Sequence, residues 1–146
     1  MSEIKTEYEG DKQKELGAFY TPETLVKHMY SKVDILHKTV LDNSCGYGNI
    51  LMEGFKLKLS LGETPVEALS ELYGVELDPD VHKQCKLNLC QLAIQYGMSE
   101  SDAYKILNKN IVCHDALTYD YSFGEKPEDT KGKSKSGNAF RFGGIK

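Results

Sequence analysis

Three acidic side chains stand at the same place relative to three short apolar runs of the sequence. Asp42 follows a Val-Leu pair, Glu76 follows Tyr-Gly-Val, and Asp115 follows Ile-Val-Cys-His. Runs of this composition are typical of buried β-strands, so each carboxylate is predicted at or just beyond the carboxyl end of a strand. Ligands of open parallel sheets bind at that edge, where carboxylates accept hydrogen bonds from amines and hydroxyls. The three acids therefore predict a site for a polar small molecule.

A loop with two glycines follows the first acid and is predicted to form one wall of this site. In residues 43–49, Gly46 and Gly48 allow a tight turn and a close approach of the backbone to a ligand. A dinucleotide site fits less well, because the third small residue of that fingerprint is Leu51 here and Glu76 follows Gly46 by 30 residues rather than about 20. A carboxylate after the second strand suits the ribose hydroxyls of any adenosine-bearing cofactor.

Two of the acids also have simpler interpretations, which the sequence leaves open. Glu76 can be a solvated residue that opens the helix at Asp78, and Asp115 can cap a turn with Thr118. As a ligand-binding group, Asp115 would instead accept a hydrogen bond from the exocyclic amine of an adenine ring.

The elements that must position these residues alternate between strands and helices. Thr21 is the predicted N-cap of a first helix, with Pro22 as its first residue, and this helix runs to about residue 34. Strands are predicted over 38–42, 71–77 and 110–114, and the helices between them over 50–61, from 64, from 78 to about 96, and over 99–107. This alternation predicts an α/β fold with parallel strands and right-handed crossover helices.

The predicted folded domain covers residues 17–123, and no helix or strand is predicted beyond it. Residues 1–16 form a polar lead-in, and residues 124–146 are predicted to be a flexible basic tail. The tail has six basic and three acidic side chains in a chain of net charge −4, so the rest of the chain carries −7. An acidic body argues against a self-sufficient nucleic-acid binder, although the tail can touch DNA.

Composition places the chain among ordinary globular domains. It has 146 residues, of which 40% are hydrophobic and 27% charged, and its four cysteines lack zinc or redox spacing and are predicted to be reduced thiols. The charged N-terminus has no signal segment, and no apolar run approaches the roughly 20 residues of a membrane span. The sequence therefore predicts a cytoplasmic protein without membrane contact or a bound metal.

Four segments occur in an order that resembles the N6-adenine DNA methyltransferases. They are Gly-Ala-Phe-Tyr-Thr-Pro at 17–22, Val-Leu-Asp-Asn-Ser-Cys-Gly-Tyr-Gly-Asn-Ile-Leu at 40–51, Tyr-Gly-Val-Glu-Leu-Asp-Pro at 73–79 and Ile-Val-Cys-His-Asp-Ala-Leu at 111–117. The order is most similar to modification subunits of type I restriction systems and related phage or plasmid enzymes. The resemblance implies a partial Rossmann-like class I methyltransferase fold with an incomplete sheet, and S-adenosylmethionine as the cofactor.

The resemblance also assigns roles at the methionine end of the cofactor. Tyr20, Thr21 and Pro22 would line this end, with Thr21 bonded to the carboxylate, and Asp42 would orient the amino group through the loop. The loop wall against the cofactor would come from Cys45, Gly46 and Gly48. Asn43 departs from the family, which usually has proline at this place.

At the adenosine end, the same resemblance assigns four residues. Glu76 would hold the ribose hydroxyls while Leu77 lies against the adenine ring. Asp115 would read the adenine amine beside Ala116.

The catalytic sequence of the family, Asn/Asp-Pro-Pro-Tyr/Phe, does not occur in this chain. The only proline after Asp115 is Pro127, and residues 138–140 (Asn-Ala-Phe) are a faint echo. Without groups that hold and stack a flipped adenine, the resemblance implies cofactor binding without independent methylation of DNA. No sequence for a target-recognition domain is present either.

A sheet that ended at its first strand would expose the apolar edge at Val40 and Leu41, and exposed edges invite pairing. This predicts a homo-oligomer, or a complementing methyltransferase chain that completes the domain and contacts DNA. Two alternatives remain at this point. The chain can be a non-enzymatic regulator that docks on a restriction-modification partner, or a small methyltransferase for another acceptor that uses Tyr119, Tyr121 or the tail.

Overall fold

The computed structural model describes residues 22–124 and, for the backbone alone, residues 139–142. Within these ranges, no helix has the length and apolar character needed to cross a membrane. The elements, in chain order, are α1 (Glu23–Tyr30), β1 (Thr39–Asp42), α2 (Asn49–Ser60), α3 (Pro65–Ser70), β2 (Leu72–Glu76), α4 (Pro79–Gln95), α5 (Glu100–Asn110), β3 (Ile111–Cys113) and β4 (Ala139–Phe142).

The strands form one sheet in the order β3-β2-β1-β4, and each described pairing is parallel. Asp42 of β1 lies opposite Gly74 of β2, and Glu76 of β2 lies opposite Cys113 of β3. Helices connect β1 to β2 and β2 to β3, as parallel neighbours require. The prediction of an α/β fold with parallel strands is therefore confirmed.

The fourth strand corrects the prediction that no element follows residue 123. β4 pairs with the whole of β1, from Thr39 opposite Ala139 to Asp42 opposite Phe142. The edge of β1 is thus covered by this chain's own backbone, so the premise for self-association through that edge is wrong. A run of four residues is too short to be distinguished by its pattern, and its pairing with β1 is what defines it. The lead-in 1–16 and the rest of the predicted tail lie outside the described residues.

Local sequence signals account for the starts of two helices. At α3, the Thr64 side chain accepts a hydrogen bond from Glu67 N at 3.2 Å, and Glu67 Oε1 accepts one from Thr64 N at 2.9 Å, with Pro65 in the first turn. At α5, the Ser99 hydroxyl accepts a hydrogen bond from Asp102 N at 3.1 Å. These interactions satisfy amide groups that have no partner within the helix.

The first helix differs from its prediction at both ends. Pro22 is the capping residue rather than the first helical residue, because its ψ of 146° is extended. The helix ends at Tyr30 instead of about residue 34. Thr21, the predicted cap, lies outside the described residues. The Tyr30 hydroxyl donates to Ile50 O at 2.8 Å and ties α1 to the beginning of α2.

The two faces of the sheet are covered differently. Side chains alternate between faces along a strand, and on one face Val40, Leu72 and Ile111 pack in a core with buried residues from all five described helices. On the other face, Leu41 and Val75 pack against Phe123. The helices described here therefore lie on one side of the sheet.

Residues 119–123, which we call the aromatic segment, follow β3 and cover the second face of the sheet. Phe123 lies with its ring centroid 4.8 Å from that of Tyr73 and 5.3 Å from that of Tyr119. The Tyr119 hydroxyl accepts a hydrogen bond from Phe123 N at 2.7 Å. From β1 through β2 to β3, the chain moves across the sheet in one direction. The next strand, β4, lies on the other side of β1, so the chain reverses its direction across the sheet after β3. A right-handed crossover in the reversed direction runs over the opposite face, which explains this position.

A buried lysine holds the amino edge of β1 and β2. The fully buried Lys58 donates to Ile35 O and Lys38 O, both at 2.6 Å, and contacts Glu71 Oε1 at 2.5 Å and Glu63 Oε2 at 3.3 Å. The side chains of His37, Glu63 and Glu71 have metal-binding donor types and lie within 4.8 Å of one another. Because the Lys58 ammonium already supplies positive charge between the two carboxylates, we interpret the group as a structural ion-pair cluster.

Candidate functional site

Asp42 ends β1 with its carboxylate inside the protein. The residue is only 2% exposed, and its Oδ1 accepts a hydrogen bond from Ser44 N at 3.0 Å. Burial and the nearby Glu76 carboxylate together raise the pKa of Asp42 to about 7, although the hydrogen bond from Ser44 opposes the shift. An acid that is costly to ionise in the free protein suits a ligand that brings a positive charge.

Glu76 ends β2 and binds backbone on two sides. Its Oε1 accepts a hydrogen bond from Gly46 N at 2.9 Å, and its Oε2 accepts one from Asp78 N at 3.0 Å. The residue is buried, so the interpretation of Glu76 as a solvated helix-opening residue is wrong. Asp78 instead caps α4, because its Oδ1 accepts hydrogen bonds from Asp80 N and Val81 N.

Residues 43–49, which we call the glycine loop, lie between these two acids. Cys45 N donates to Val75 O at 3.0 Å, and Gly48 N donates to Cys45 O at 2.8 Å. Gly46 and Gly48 have φ angles of 54° and 96°, in the left-handed region that favours glycine. A Cβ atom on Gly48 would lie 3.1 Å from the Cys85 sulfur. Conformation thus favours glycine at both positions, and space favours it at Gly48 as well.

The back of the glycine loop packs on two sulfur atoms. Cys45 Sγ lies 3.8 Å from Cys85 Sγ, and both residues are buried. The hydrogen bond with Cys85 and burial raise the pKa of Cys45 well above that of an ordinary thiol. A Cβ on Gly74 would lie 2.9 Å from Cys45 Sγ, so β2 needs a glycine here. Gly74 is a supporting residue that the sequence analysis missed.

Asp115 reaches the same edge of the sheet but is exposed to solvent. His114 N donates to Glu76 O at 2.9 Å, which joins the segment after β3 to the end of β2. The Asp115 carboxylate accepts a hydrogen bond from Leu117 N at 2.9 Å, and its carbonyl accepts one from Thr118 N at 3.0 Å. Its turn-capping role is therefore present, and its contact with an adenine amine stays a prediction.

Apolar side chains flank this end of the site. Leu77 and Leu117 are 68% and 86% exposed, directly after β2 and β3 respectively. Ala116 is half-buried and packs with the aromatic segment on the second face. Exposed leucines beside buried carboxylates are consistent with a ligand that has both a polar part and a flat apolar part.

The predicted methionine end is described only in part. Pro22 is exposed at the start of α1, whereas Tyr20 and Thr21 lie outside the described residues. The structure thus brings Asp42, Glu76 and the glycine loop together and leaves the role of residues 20–21 as a prediction.

Asn88 is a second residue that the sequence analysis missed. It is fully buried on α4, and its side-chain amide donates to Tyr47 O of the glycine loop at 3.0 Å. The available signal was a polar residue among the apolar positions Cys85, Leu89 and Leu92 of the same helix.

The fold and this arrangement define a class of protein. It is an α/β protein with a parallel sheet, a left-handed glycine loop after β1 and two buried acids at the carboxyl ends of adjacent strands.

Comparison with known proteins gives the family. The family model for N-6 DNA methylase matches residues 4–135, and the chain belongs to this family. The methylase subunit of the type I restriction enzyme MjaIX from Methanocaldococcus jannaschii is 29% identical over 115 residues. The alignment covers 76% of this chain but 19% of that subunit, so the chain spans about a fifth of its relative's length. The resemblance noted in the four sequence segments is confirmed.

Proposed function

We propose that this chain is the cofactor-binding part of an adenine-N6 DNA methyltransferase and that S-adenosylmethionine binds at the carboxyl edge of its sheet. The observation that carries the proposal is the pair of buried acids, Asp42 and Glu76, at the tips of adjacent strands beside the glycine loop. Burying a carboxylate is costly unless a partner compensates it. A ligand with an ammonium group and vicinal hydroxyls supplies both kinds of partner.

The strand order supports a Rossmann-like class I fold for this site. The order β3-β2-β1-β4 matches the first four strands of the doubly wound sheet, in which ligands bind where the strand order reverses. In this chain the reversal falls at β1, which ends at Asp42. The proposed site is therefore at the position that this topology favours.

Oxygen atoms at the site can accept more hydrogen bonds than the protein supplies, which suits a cofactor that carries donors. Each Glu76 oxygen accepts one backbone N–H, and a carboxylate offers about four acceptor positions, so both oxygens can still accept ribose hydroxyls. Asn43 Oδ1 is buried without a hydrogen-bond partner among the described residues, next to Asp42. An orphaned buried acceptor there favours a ligand that brings a donor.

We assign the contacts as follows. Asp42 would bind the ammonium group of the methionine part, Glu76 the ribose, and Asp115 the adenine amine, with Leu77 and Ala116 along the base. When bound, the cofactor supplies an activated methyl group, and the residues of this chain bind and orient it. Contact with DNA and methyl transfer would need groups outside these 146 residues, among them an Asn-Pro-Pro-Tyr sequence.

Titration calorimetry on the full chain tests the binding proposal. We expect S-adenosylmethionine and S-adenosylhomocysteine to bind, and we expect Glu76→Ala and Asp42→Asn to weaken binding at least about tenfold, the effect of losing one charge-assisted contact. Glu100→Gln, which changes an exposed acid on α5, is the matched control and should bind like the original chain. Absence of binding to the unmodified chain would contradict the proposal and would favour a partner-docking regulator.

A further inference from the structure

We infer that Asn88 is a positioning residue that holds the glycine loop for the cofactor, an inference that rests on the proposed function. The Asn88 side chain is fully buried on α4. Its Nδ2 donates to Tyr47 O at 3.0 Å, and its Oδ1 accepts a hydrogen bond from Gln84 Nε2 at 2.9 Å. Both ends of the amide are therefore bonded, and the side chain is fixed in one orientation.

The location of this amide calls for a specific reason. Asn88 shares its helix face with Cys85, Leu89 and Leu92, all of which lie in the main apolar core. A buried polar group destabilises such a core unless it is bonded, and asparagine is also a poor helix former. The bond to Tyr47, 41 positions away in the chain, is the compensating contact.

The glycine loop needs an anchor other than Glu76. Gly46 and Gly48 on either side of Tyr47 are both left-handed and have the least restricted backbone of any residue. Glu76 Oε1 holds Gly46 N, yet the same carboxylate is the proposed ribose acceptor. A ligand that pulls on Glu76 would therefore loosen the loop if that were its only support.

Asn88 provides support that is independent of the ligand-binding acids. The carbonyl of the Tyr47–Gly48 peptide is held by Asn88, and the N–H of the same peptide is held by Cys45 O at 2.8 Å. The peptide plane is thus fixed from α4 and from within the loop. Its orientation determines which backbone groups the loop presents to the cofactor, so Asn88 sets the shape of this wall without touching the ligand.

The test compares two variants of the full chain. Asn88→Leu keeps the branched shape of the side chain and removes the donor, whereas Leu92→Ala removes core packing one turn further along the same helix. We expect Asn88→Leu to weaken S-adenosylhomocysteine binding at least about tenfold in calorimetry, and Leu92→Ala to change it less than about twofold. Amide hydrogen exchange of Gly46, Tyr47 and Gly48 without ligand should be faster in Asn88→Leu than in Leu92→Ala.

The outcomes distinguish a positioning role of Asn88 from a general contribution to core stability. Equal binding by Asn88→Leu and the original chain, or losses of affinity that simply follow the loss of thermal stability in both variants, would overturn the inference. If Asn88→Leu does not fold, Gln84→Ala replaces it, because it removes the hydrogen bond to Asn88 Oδ1 from a half-buried residue and should weaken binding about threefold. If the original chain binds no cofactor, the proposed function fails, and hydrogen exchange alone still shows whether Asn88 holds the loop.

Discussion

At the scale of single residues, Asp42 is the point where stability and the proposed function oppose each other. Its carboxylate is buried, and its pKa lies near 7 instead of the usual 3.8. The folded protein therefore binds this proton more tightly than the unfolded chain does. The protonated Asp42 carboxyl group therefore adds to the free energy of unfolding. This contribution is fully present below the pKa of the unfolded state and is lost as the pH rises through the pKa of the folded state.

Asp42→Asn should make the protein more stable at pH 8. The rise of the pKa from 3.8 to about 7 corresponds to roughly 4 kcal/mol of folding free energy that the ionised acid costs, and the neutral amide avoids it. The melting temperature of the variant should exceed that of the original chain at pH 8, and the difference should nearly vanish at pH 4. Thermal unfolding followed by circular dichroism measures both values.

The same variant is expected to lose cofactor affinity, so a gain in stability would accompany a loss of function. An unchanged melting temperature at pH 8 would mean that Asp42 is not a buried ionised acid in solution.

At the scale of elements, the glycine loop depends on two different properties of glycine. Gly48 and Gly62 both have positive φ angles, 96° and 109°, so a side chain strains the backbone at either place. A Cβ atom on Gly48 would also meet Cys85 Sγ at 3.1 Å, whereas a Cβ on Gly62 would meet nothing within 4 Å. The two positions therefore separate backbone strain from crowding.

Gly48→Ala should destabilise the protein more than Gly62→Ala does. Both variants pay about 1–2 kcal/mol for the left-handed backbone, and only the first must also displace the Cys85 thiol. Urea unfolding measures the difference, and calorimetry should show weaker S-adenosylmethionine binding for Gly48→Ala alone. Equal effects of the two substitutions on both measurements would contradict this account of the loop.

At the amino ends of β1 and β2, buried ion pairs of Lys58 with Glu63 and Glu71 stabilise the sheet. Lys58→Met should destabilise the protein by about 3–5 kcal/mol, because it leaves the Glu63 and Glu71 carboxylates without their shared cation. Lys56→Met, two residues earlier on α2, removes a half-exposed partner of Glu53 and should cost at most ~1 kcal/mol. Chemical unfolding of both variants gives the comparison, and similar losses would mean that the buried cluster contributes no more than a surface pair.

At the scale of the whole molecule, the amino ends and the carboxyl ends of the parallel strands, here called the amino edge and the carboxyl edge, differ in the contacts they make. The amino edge carries the Lys58 cluster, which fixes the starts of β1 and β2. The carboxyl edge carries Asp42, Glu76 and the glycine loop, where the acids are held by backbone N–H groups alone in the described contacts. The first group of contacts stabilises the fold, and the second leaves acceptor positions for the proposed ligand.

The chain alone should not methylate DNA. It has no adjacent prolines and therefore no Asn-Pro-Pro-Tyr sequence to hold a flipped adenine beside the cofactor. Transfer of a labelled methyl group from S-adenosylmethionine to adenine-containing DNA should stay at background with the purified chain. It should appear only when a segment that carries this sequence is supplied, and transfer by the purified 146 residues alone would refute the assignment of roles.

Local sequence was sufficient to predict several helix starts and strand ends, and the family. The predicted starts of α3 and α5 are confirmed because their capping interactions join residues three positions apart, such as Ser99 with Asp102. The end of β1 was placed correctly at Asp42, and that of β2 one residue beyond its observed end at Glu76, because short apolar runs bounded by polar residues favour buried strands. The order of the four segments was enough to indicate the family.

Other features were decided only by the tertiary structure. The strand β4 exists as a partner of β1, which lies about a hundred positions earlier, and the bond from Asn88 to Tyr47 spans 41 positions. The Lys58 ammonium likewise finds its acceptors 5 to 23 positions away on four different residues. Hydrophobic periodicity and capping act over a few residues, so they determine where elements begin and end. Which strands become neighbours, and which buried polar groups find a partner, depends on the packing of the whole chain.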